Sequence, residues 1–238
     1  MLSYLRSVLW MCPSIGFSVL IMGTISLATS LVDRSGRWQH TVATTWARMV
    51  LRICLVTVKV VGAEKLDDRQ QYIFVSNHFS LIDTPVMFGC MPREFRIMAR
   101  HKLWHIPFLG WHLNRAGHIP VNRESPRAAV RNVEEAAKHV QRGTSILLFP
   151  EGGRTREPNM RPFKSGAAHI AIRAGVPIVP MALVGTRKIL APNSIHLHPG
   201  HAELRIGKPV STIGKDSHEA KHVISTVQQE VEKLAAMM

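Results

Sequence analysis

The stretch Tyr72-Ile73-Phe74-Val75-Ser76-Asn77-His78-Phe79-Ser80-Leu81-Ile82-Asp83-Thr84-Pro85 passes from an apolar run into a polar block and on to a proline. Residues 72–76 are apolar and β-branched enough for a buried strand. Pro85 fits an early turn of a helix running towards Cys90, where its missing N–H is no loss. Between them lie a histidine and a carboxylate five residues apart. On one regular helix, positions five apart are turned about 140° from each other and cannot meet. They can meet if His78 lies in the turn and Asp83 in the first turn of the following helix. An aspartate bonded to one ring nitrogen fixes the tautomer and leaves the other nitrogen as a base. The plainer reading of the same block is a helix-capping Asn or Ser beside an ordinary surface histidine.

A second apolar run, Ser145-Ile146-Leu147-Leu148-Phe149, stops at Pro150 and is followed by Glu151-Gly152-Gly153-Arg154-Thr155-Arg156. Two glycines allow backbone amides to crowd an anion. Arg154, Arg156, Arg161 and Lys164 follow, opposed nearby by Glu151 alone, and arginine forks suit phosphate oxygens. Around these blocks the chain alternates. Arg127–Arg142 carries Val130, Val133, Ala137 and Val140 on one face, with Pro126 before it and Gly143 after. A helix is expected over Lys164–Ala174, a strand over Ile178–Val184, a last strand over Ala202–Ile206 and a last helix over His218–Leu234. This order predicts an α/β fold with a mixed, mostly parallel sheet covered by helices. No internal repeat or low-complexity tract interrupts it.

The two blocks, with two further stretches, resemble the glycerolipid acyltransferase family that includes bacterial 1-acyl-glycerol-3-phosphate acyltransferases. That family's N-H-x4-D motif is matched by Asn77, His78 and Asp83. Its G-x-I-P-V-x-R motif is matched by Gly117 to Arg123, its F-P-E-G-T-R-S motif by Phe149 to Thr155, and its V-P-I-V-P motif by Val176 to Pro180. The four stand in the family's order and cover residues from about 70 to 185. Two departures stand out. Gly153 replaces a threonine and Thr155 a serine in the third motif. Upstream of the second, where the family reads Ala-Lys-x-Glu, this chain reads Ala99-Arg100-His101-Lys102. The resemblance implies that His78 takes the proton from an acceptor hydroxyl attacking a thioester, with Asp83 orienting it. It implies acceptor binding at Arg123, Glu151, Gly152, Gly153 and Arg154, with Arg156 and Lys164 beside them. Arg100 and Lys102 compete for the substrate phosphate, and either, or backbone amides, would stabilise the developing oxyanion. The donor would be acyl-CoA or acyl carrier protein, with no cofactor and no metal. The acceptor would be a lysophospholipid, lysophosphatidate in most of the family. Glycerol 3-phosphate and lyso-aminolipids are the alternatives.

Composition points to the same partners. The 238 residues carry 30 Lys plus Arg against 16 Asp plus Glu, a net charge of +14. Such an excess favours an anionic surface, nucleic acid or acidic lipid. With 6% aromatics and basic residues scattered along the chain, nothing resembles the interleaved stacking residues or groove-reading helix of a nucleic-acid binder. Ser7 to Val32 contains no charged residue, long enough to cross a bilayer core of about 30 Å or to dip in and return. No Ala-x-Ala cleavage site follows it. Val42, Trp46, Met49, Val50 and Ile53 recur at helical spacing with Arg48 and Arg52 on other faces, which predicts a helix lying in the membrane interface. Residues 1–60 are therefore expected to form a membrane-anchoring helical segment and 61–238 the catalytic domain. Arg34 and Arg37 place the flank of the first segment, and with it the catalytic domain, on the cytoplasmic side of what the resemblance implies is a bacterial inner membrane.

Other patterns carry less. His218-Glu219-Ala220-Lys221-His222 spells H-E-x-x-H, but both histidines fall opposite the apolar stripe of Val223, Ile224, Val227, Val231 and Leu234. His196, His198 and His201 read as a polar loop, and His101 and His105 as a groove rim or solvent. Cys12, Cys54 and Cys90 suit reduced thiols. No nucleophile elbow or P-loop appears. The reading from another functional class is a non-catalytic basic protein docked on anionic membrane, for which His78 would be dispensable.

Overall fold

Residues of the central strands point alternately into two apolar layers, as a sheet covered on both faces requires. In β2 (Ile73–Ser76), Ile73 and Val75 enter one layer and Phe74 the other. In β5 (Ile146–Leu148) the same division separates Ile146 and Leu148 from Leu147. The structure is a computed structural model and describes residues 2–122, 125–154, 157 and 159–237. The remaining strands are β1 (Val56–Val61), β3 (Arg96–Arg100), β4 (Ile119–Val121), β6 (Ile178–Val184) and β7 (Gly200–Ile206). Together they form one sheet in the order β1-β7-β6-β2-β5-β3-β4. β2 runs parallel to both neighbours, β5 and β6, and β3 runs parallel to β5 and β4. β7 pairs antiparallel with β6 and parallel with β1. The sheet is therefore mixed and mostly parallel, the α/β class expected.

One layer is closed by α6 (Pro126–Gln141), α7 (Gly166–Ala174) and α9 (Ala220–Ala236), the other by α3 (Arg37–Ile53) and α4 (Asp83–Cys90). Ser125 caps α6, its Oγ accepting the Ala128 N–H at 3.2 Å, and Gly175 ends α7 in the left-handed region at φ 70°. α7 starts at Gly166 rather than at Lys164. The backbone N–H groups of Phe163 and Lys164 are engaged elsewhere, on Gln228 Oε1 and Pro150 O. The expected last helix also divides: His218 sits in a 3-10 turn closed by an Asp216–Glu219 capping box, and α9 begins only at Ala220. His218 and His222 thus do not share one continuous helix. Among the described residues no group of three or more His, Cys, Asp or Glu is placed to hold a metal.

The N-terminal chain is one long helix, α1 (Leu2–Arg6), a π-turn over Ser7–Met11, and α2 (Cys12–Thr29). In the π-turn the Cys12 N–H reaches back five residues to Ser7 O. That widening makes room for the ring of Pro13, which would otherwise press on the preceding turn. The burial of α2 is inverted relative to a soluble helix. Its buried residues are Ser18, Gly23 and Ser26, while Phe17, Leu20, Ile21 and Ile25 are exposed. Inward, Trp46 Nε1 donates to Ser18 Oγ at 3.1 Å. Farther back, Ser7 Oγ accepts the Leu197 N–H at 3.0 Å.

α3, expected as a helix in the membrane interface, packs one face on the protein core. Its Ala43, Ala47, Val50 and Leu51 are buried in the core layer that α4 shares. Arg48 is turned towards α4, its Nε donating to Gly89 O at 2.9 Å in the last turn of that helix, where a cation is favoured. Residue 60, the boundary expected between anchor and catalytic domain, falls inside β1, which pairs with β7 along its whole length.

Where α2 and α3 meet α5 (Leu109–Arg115) and the start of β4, three imidazoles are enclosed. Ser26 Oγ and His112 Nδ1 lie 2.6 Å apart, and the Ile97 N–H donates to His118 Nδ1 at 3.1 Å. His40 packs edge-on against Phe95. Burial pushes His40 and His112 down to about 4 and His118 well below the usual histidine range. The unfolded chain therefore binds more protons than the folded one between about pH 6.5 and about pH 4, so stability is full above that window and lost on descending through it. In detergent, the urea midpoint should fall between about pH 7 and about pH 5, before most carboxylates titrate, and His112→Gln should flatten the slope. A midpoint constant over that interval would contradict the burial of these rings.

Candidate active site

Because β2 and β5 are adjacent and parallel, the segments leaving their C-terminal ends lie side by side, the usual place for a site in such a sheet. The first is Asn77–Asp83. Asn77 continues the sheet through its side chain: Nδ2 donates to Leu183 O at 2.9 Å and Oδ1 accepts the Leu183 N–H at 2.8 Å. The chain then turns, and Asp83 opens α4 with no exposed surface. Its Oδ2 accepts three hydrogen bonds, from His78 Nδ1 at 2.9 Å, Phe79 N at 2.8 Å and Ser80 N at 2.7 Å. His78 lies in the turn and Asp83 in the first helical turn, the one arrangement in which the pair could meet. Asp83 Oδ1 is buried with no hydrogen-bond partner among the described residues.

The second segment grips the first. Phe149 stacks on the His78 ring at 4.1 Å between centroids and 15° between planes. Glu151, grouped on sequence with the acceptor-binding residues, is 5% exposed. Its Oε1 accepts the His78 N–H at 2.7 Å and its Oε2 the Arg161 N–H at 3.1 Å. Both oxygens are thus engaged by backbone, and the carboxylate stands as a strut under His78. Burial pushes its carboxyl up from the usual range. Gly152 follows at φ 82°, a conformation that favours glycine. At Gly153 a Cβ would stand 3.0 Å from Arg100 Nη2, the movable end of a side chain that lies across the turn. Arg100 Nη2 donates to Gly152 O at 3.4 Å.

His78, Arg100, Gly152, Gly153 and Arg154 all border one cavity of about 950 Å³. Beyond that polar rim its walls are mostly apolar, with Ile15 and Val19 of α2, Trp46 and Val50 of α3, Phe88 of α4 and Leu197 among them. Of the row Val42, Trp46, Met49, Val50 and Ile53 expected on a helix in the membrane interface, Val42, Trp46 and Val50 line the cavity. His78 has 16% of its side chain exposed. With Nδ1 held by Asp83, Nε2 is the nitrogen left for the cavity. Lys102, on the 3-10 turn His101–His105, and Lys164 are exposed and do not line it. Between Arg100 and Lys102, the structure brings Arg100 to the glycine turn. Arg123 and Arg156 lie outside the described residues.

Sequence reasoning passed over three contributors. Phe149 and Asn77 were inside quoted motifs, and their roles show only once β2 is seen between β5 and β6. Arg187, in α8 (Thr186–Ile189), stands 6.0 Å over the Phe79 ring, and no pattern marked it. The helical wall of the cavity was read as anchor alone, because a charge-free run does not say what its inner face covers.

The family model described as Acyltransferase matches residues 57–184. The chain is 30% identical over 206 residues to the chloroplastic 1-acyl-sn-glycerol-3-phosphate acyltransferase BAT2 of Brassica napus, covering 84% of this chain and 59% of that one. It is 32% identical over 215 residues to the 1-acyl-sn-glycerol-3-phosphate acyltransferase of Saccharomyces cerevisiae, covering 89% and 70%. The chain thus spans about three-fifths of the length of the first of these relatives. The crystal structure of the 1-acyl-sn-glycerophosphate acyltransferase PlsC from Thermotoga maritima matches with a TM-score of 0.81 at 25% identity, covering 99% of this chain and 97% of that one. The matched residues 57–184 hold the His78–Asp83 pair, its Glu151 strut and the glycine turn, and the chain belongs to the acyltransferase family.

Proposed function

We propose that this protein moves a fatty acyl group from an acyl thioester, acyl-CoA or acyl carrier protein, to the 2-hydroxyl of 1-acyl-glycerol-3-phosphate, forming phosphatidic acid. The observation that carries the reading is an imidazole held by a buried carboxylate, facing an apolar cavity with arginines at its rim. His78 Nε2 takes the hydroxyl proton as the acceptor oxygen attacks the thioester carbonyl. The tetrahedral intermediate then expels the thiolate, which recovers the proton from the imidazolium. Asp83 fixes the tautomer through Nδ1 and opposes the imidazolium's charge. Its unpartnered Oδ1 leaves that charge as the compensation for a buried carboxylate oxygen. The acyl chain lies in the apolar cavity, and Arg154 binds the acceptor phosphate at the rim, with Arg100 beside it. The names of the relatives support lysophosphatidate over glycerol 3-phosphate or a lyso-aminolipid as acceptor.

The same reading places the protein on a membrane. Besides the exposed apolar face of α2, Trp10, Trp38, Ile106 and Trp111 are exposed, aromatic and aliphatic residues suited to the interfacial region. The catalytic domain then faces the cytoplasm of a bacterial inner membrane. Purified protein supplied with lysophosphatidate, glycerol 3-phosphate and lysophosphatidylethanolamine, each with acyl-CoA or acyl carrier protein, tests the activity directly.

His78→Ala should lower kcat by about 10²- to 10⁴-fold, and Asp83→Asn should impair turnover through the wrong tautomer. A folded His78→Ala protein with unchanged turnover would overturn the mechanism and favour a non-catalytic membrane-docking role. The rim and the strut should separate in their kinetics. Losing a charge-assisted bond of about 1.5–3 kcal/mol, Arg154→Ala should raise the acceptor's KM roughly ten- to a hundred-fold. Glu151→Gln, which disturbs the seat of His78, should instead act on kcat; an effect confined to acceptor KM would return Glu151 to the substrate-binding set. Hydrophobic insertion is not screened as surface charge is, so intact protein should stay with the membrane fraction through a high-salt wash. Its release by salt alone would contradict insertion by α2.

A further inference from the structure

Three separate segments meet at one guanidinium, that of Arg187. It stands in α8, the short helix that follows β6 directly, and its place is fixed by backbone. Gly185 turns the chain out of β6 at φ 84°, where a Cβ would stand 2.5 Å from His201 O, so a side chain there would have to displace β7. Thr186 and Ile189, the two ends of α8, are each 1% exposed. Leu190, just beyond, accepts the Ser80 hydroxyl on its carbonyl. α8 is thereby tied to the far end of the turn that holds His78.

From that base the side chain reaches two ways. Its guanidinium stands over the ring of Phe79, the residue after His78, whose own N–H is held by Asp83 Oδ2. Its Nη1 donates to Glu157 O. Glu157 lies between Arg154, at the rim of the cavity, and Arg161, whose N–H is held by Glu151 Oε2. The two ends of that stretch are fastened just after β5, Gly152 N–H to Phe149 O and Lys164 N–H to Pro150 O. Arg187 fastens it between those ends, and to a different base, the turn of His78. A planar guanidinium can cover a ring and donate in its own plane at once, which suits it to this double contact better than an ammonium.

We propose that Arg187 is a positioning residue for acyl transfer, clasping the segment that bears Arg154 to the turn that bears His78. The seat of the acceptor's phosphate and the base are then held in one frame. The inference rests on the reading of Arg154 as the acceptor's phosphate contact. Arg187 itself does not touch substrate. It spares the acceptor the cost of ordering that segment on binding, so its loss falls on acceptor affinity. The donor and the His78–Asp83 hydrogen bond are left as they were.

The full chain in detergent is assayed with lysophosphatidate and whichever of acyl-CoA and acyl carrier protein the unaltered protein accepts, both substrates varied. Arg187→Met should raise the acceptor's KM about threefold to thirtyfold, with the donor's KM and the pH profile of kcat unchanged. Arg187→Lys, which keeps a donor for the Glu157 carbonyl, should recover part of the loss, and serves where Arg187→Met fails to fold. With Arg154→Ala already in place, Arg187→Met should add little further, because the contact it positions is gone. Hydrogen exchange of the substrate-free protein gives a second readout: the peptide carrying Glu157 should exchange faster in Arg187→Met than in the unaltered protein. Full additivity of the two substitutions, or a loss confined to kcat or to the donor's KM, as a merely structural role produces, would overturn the clasp. So would unchanged exchange beside a raised acceptor KM, the signature of direct contact between Arg187 and the phosphate. An acceptor KM unmoved by Arg154→Ala alone would overturn the reading of Arg154 instead, and failure of the unaltered protein to acylate lysophosphatidate the acyltransfer reading beneath it, each a distinct result.

Discussion

A carboxylate with no exposed surface, Asp83, holds three donors on one oxygen, and the surrounding structure is arranged around that knot. Two of the donors are backbone N–H groups of the turn, so the carboxylate sets the path of the chain before it sets the imidazole. The turn is then pinned from both sides of β2. Asn77 ties it to β6 through Leu183, and Glu151 and Phe149 tie it to the segment after β5. Ser80 Oγ donates to Leu190 O at 2.7 Å and fixes the far end. A buried donor or acceptor left unpaired costs about 1–3 kcal/mol, so each of these contacts resists drift of His78. The proposed general base has to reach its proton at hydrogen-bond distance, and His78 is positioned by fixed groups on three strands' ends.

The inverted burial of α2 gives one helix two surfaces with different solvents. Its small and polar residues, Ser18, Gly23 and Ser26, face the protein, where close approach and hydrogen bonds to Trp46 and His112 are possible. Its large apolar residues face away. In water alone such a helix would expose a contiguous apolar face without compensation; against lipid the exposure has no such cost. The inner surface roofs the cavity, so under the proposed function anchoring and substrate enclosure are properties of a single element, and a division of the chain at residue 60 separates parts that share a core.

Legibility in the sequence followed local pattern. The strand–turn–helix at residues 72–90 and the strand–glycine turn at 145–153 were readable because apolar runs, proline and glycine mark them within a few residues. β1, β3 and β4 were not singled out. Arginines stand at both ends of β3, and β4 is three residues with a proline at its centre, so their strand character comes from pairing rather than propensity; β1 is β-branched except at Lys59 and had the propensity of a strand. The His78–Asp83 contact could be posed as a geometric condition. The role of Glu151 could not, because a carboxylate beside arginines looks the same on paper whether it meets substrate or backbone. Arg48 lies off the apolar row as expected, but its bond to the last turn of α4 could not be read, because sequence does not show which helix end lies beside it.

The reversal of strand direction at β7, which no local pattern signalled, has a consequence for the site. A parallel successor to β6 would need a crossover carrying the chain back along a face of the sheet, whereas an antiparallel one begins at the end where β6 finishes. Residues 185–199 therefore remain at the C-terminal end of the parallel strands, beside His78. They furnish Arg187 over Phe79, the Leu190 carbonyl that Ser80 holds, and Ile195 and Leu197 in the cavity wall. Leu197 also exchanges hydrogen bonds with Ser7 through both its N–H and its carbonyl, fastening the start of the N-terminal helix to this connection. The antiparallel strand thus keeps beside His78 the very segment that docks the helical roof, which couples the N-terminal helix to the turn at His78 through the hydrogen bonds of Ser7 and Ser80.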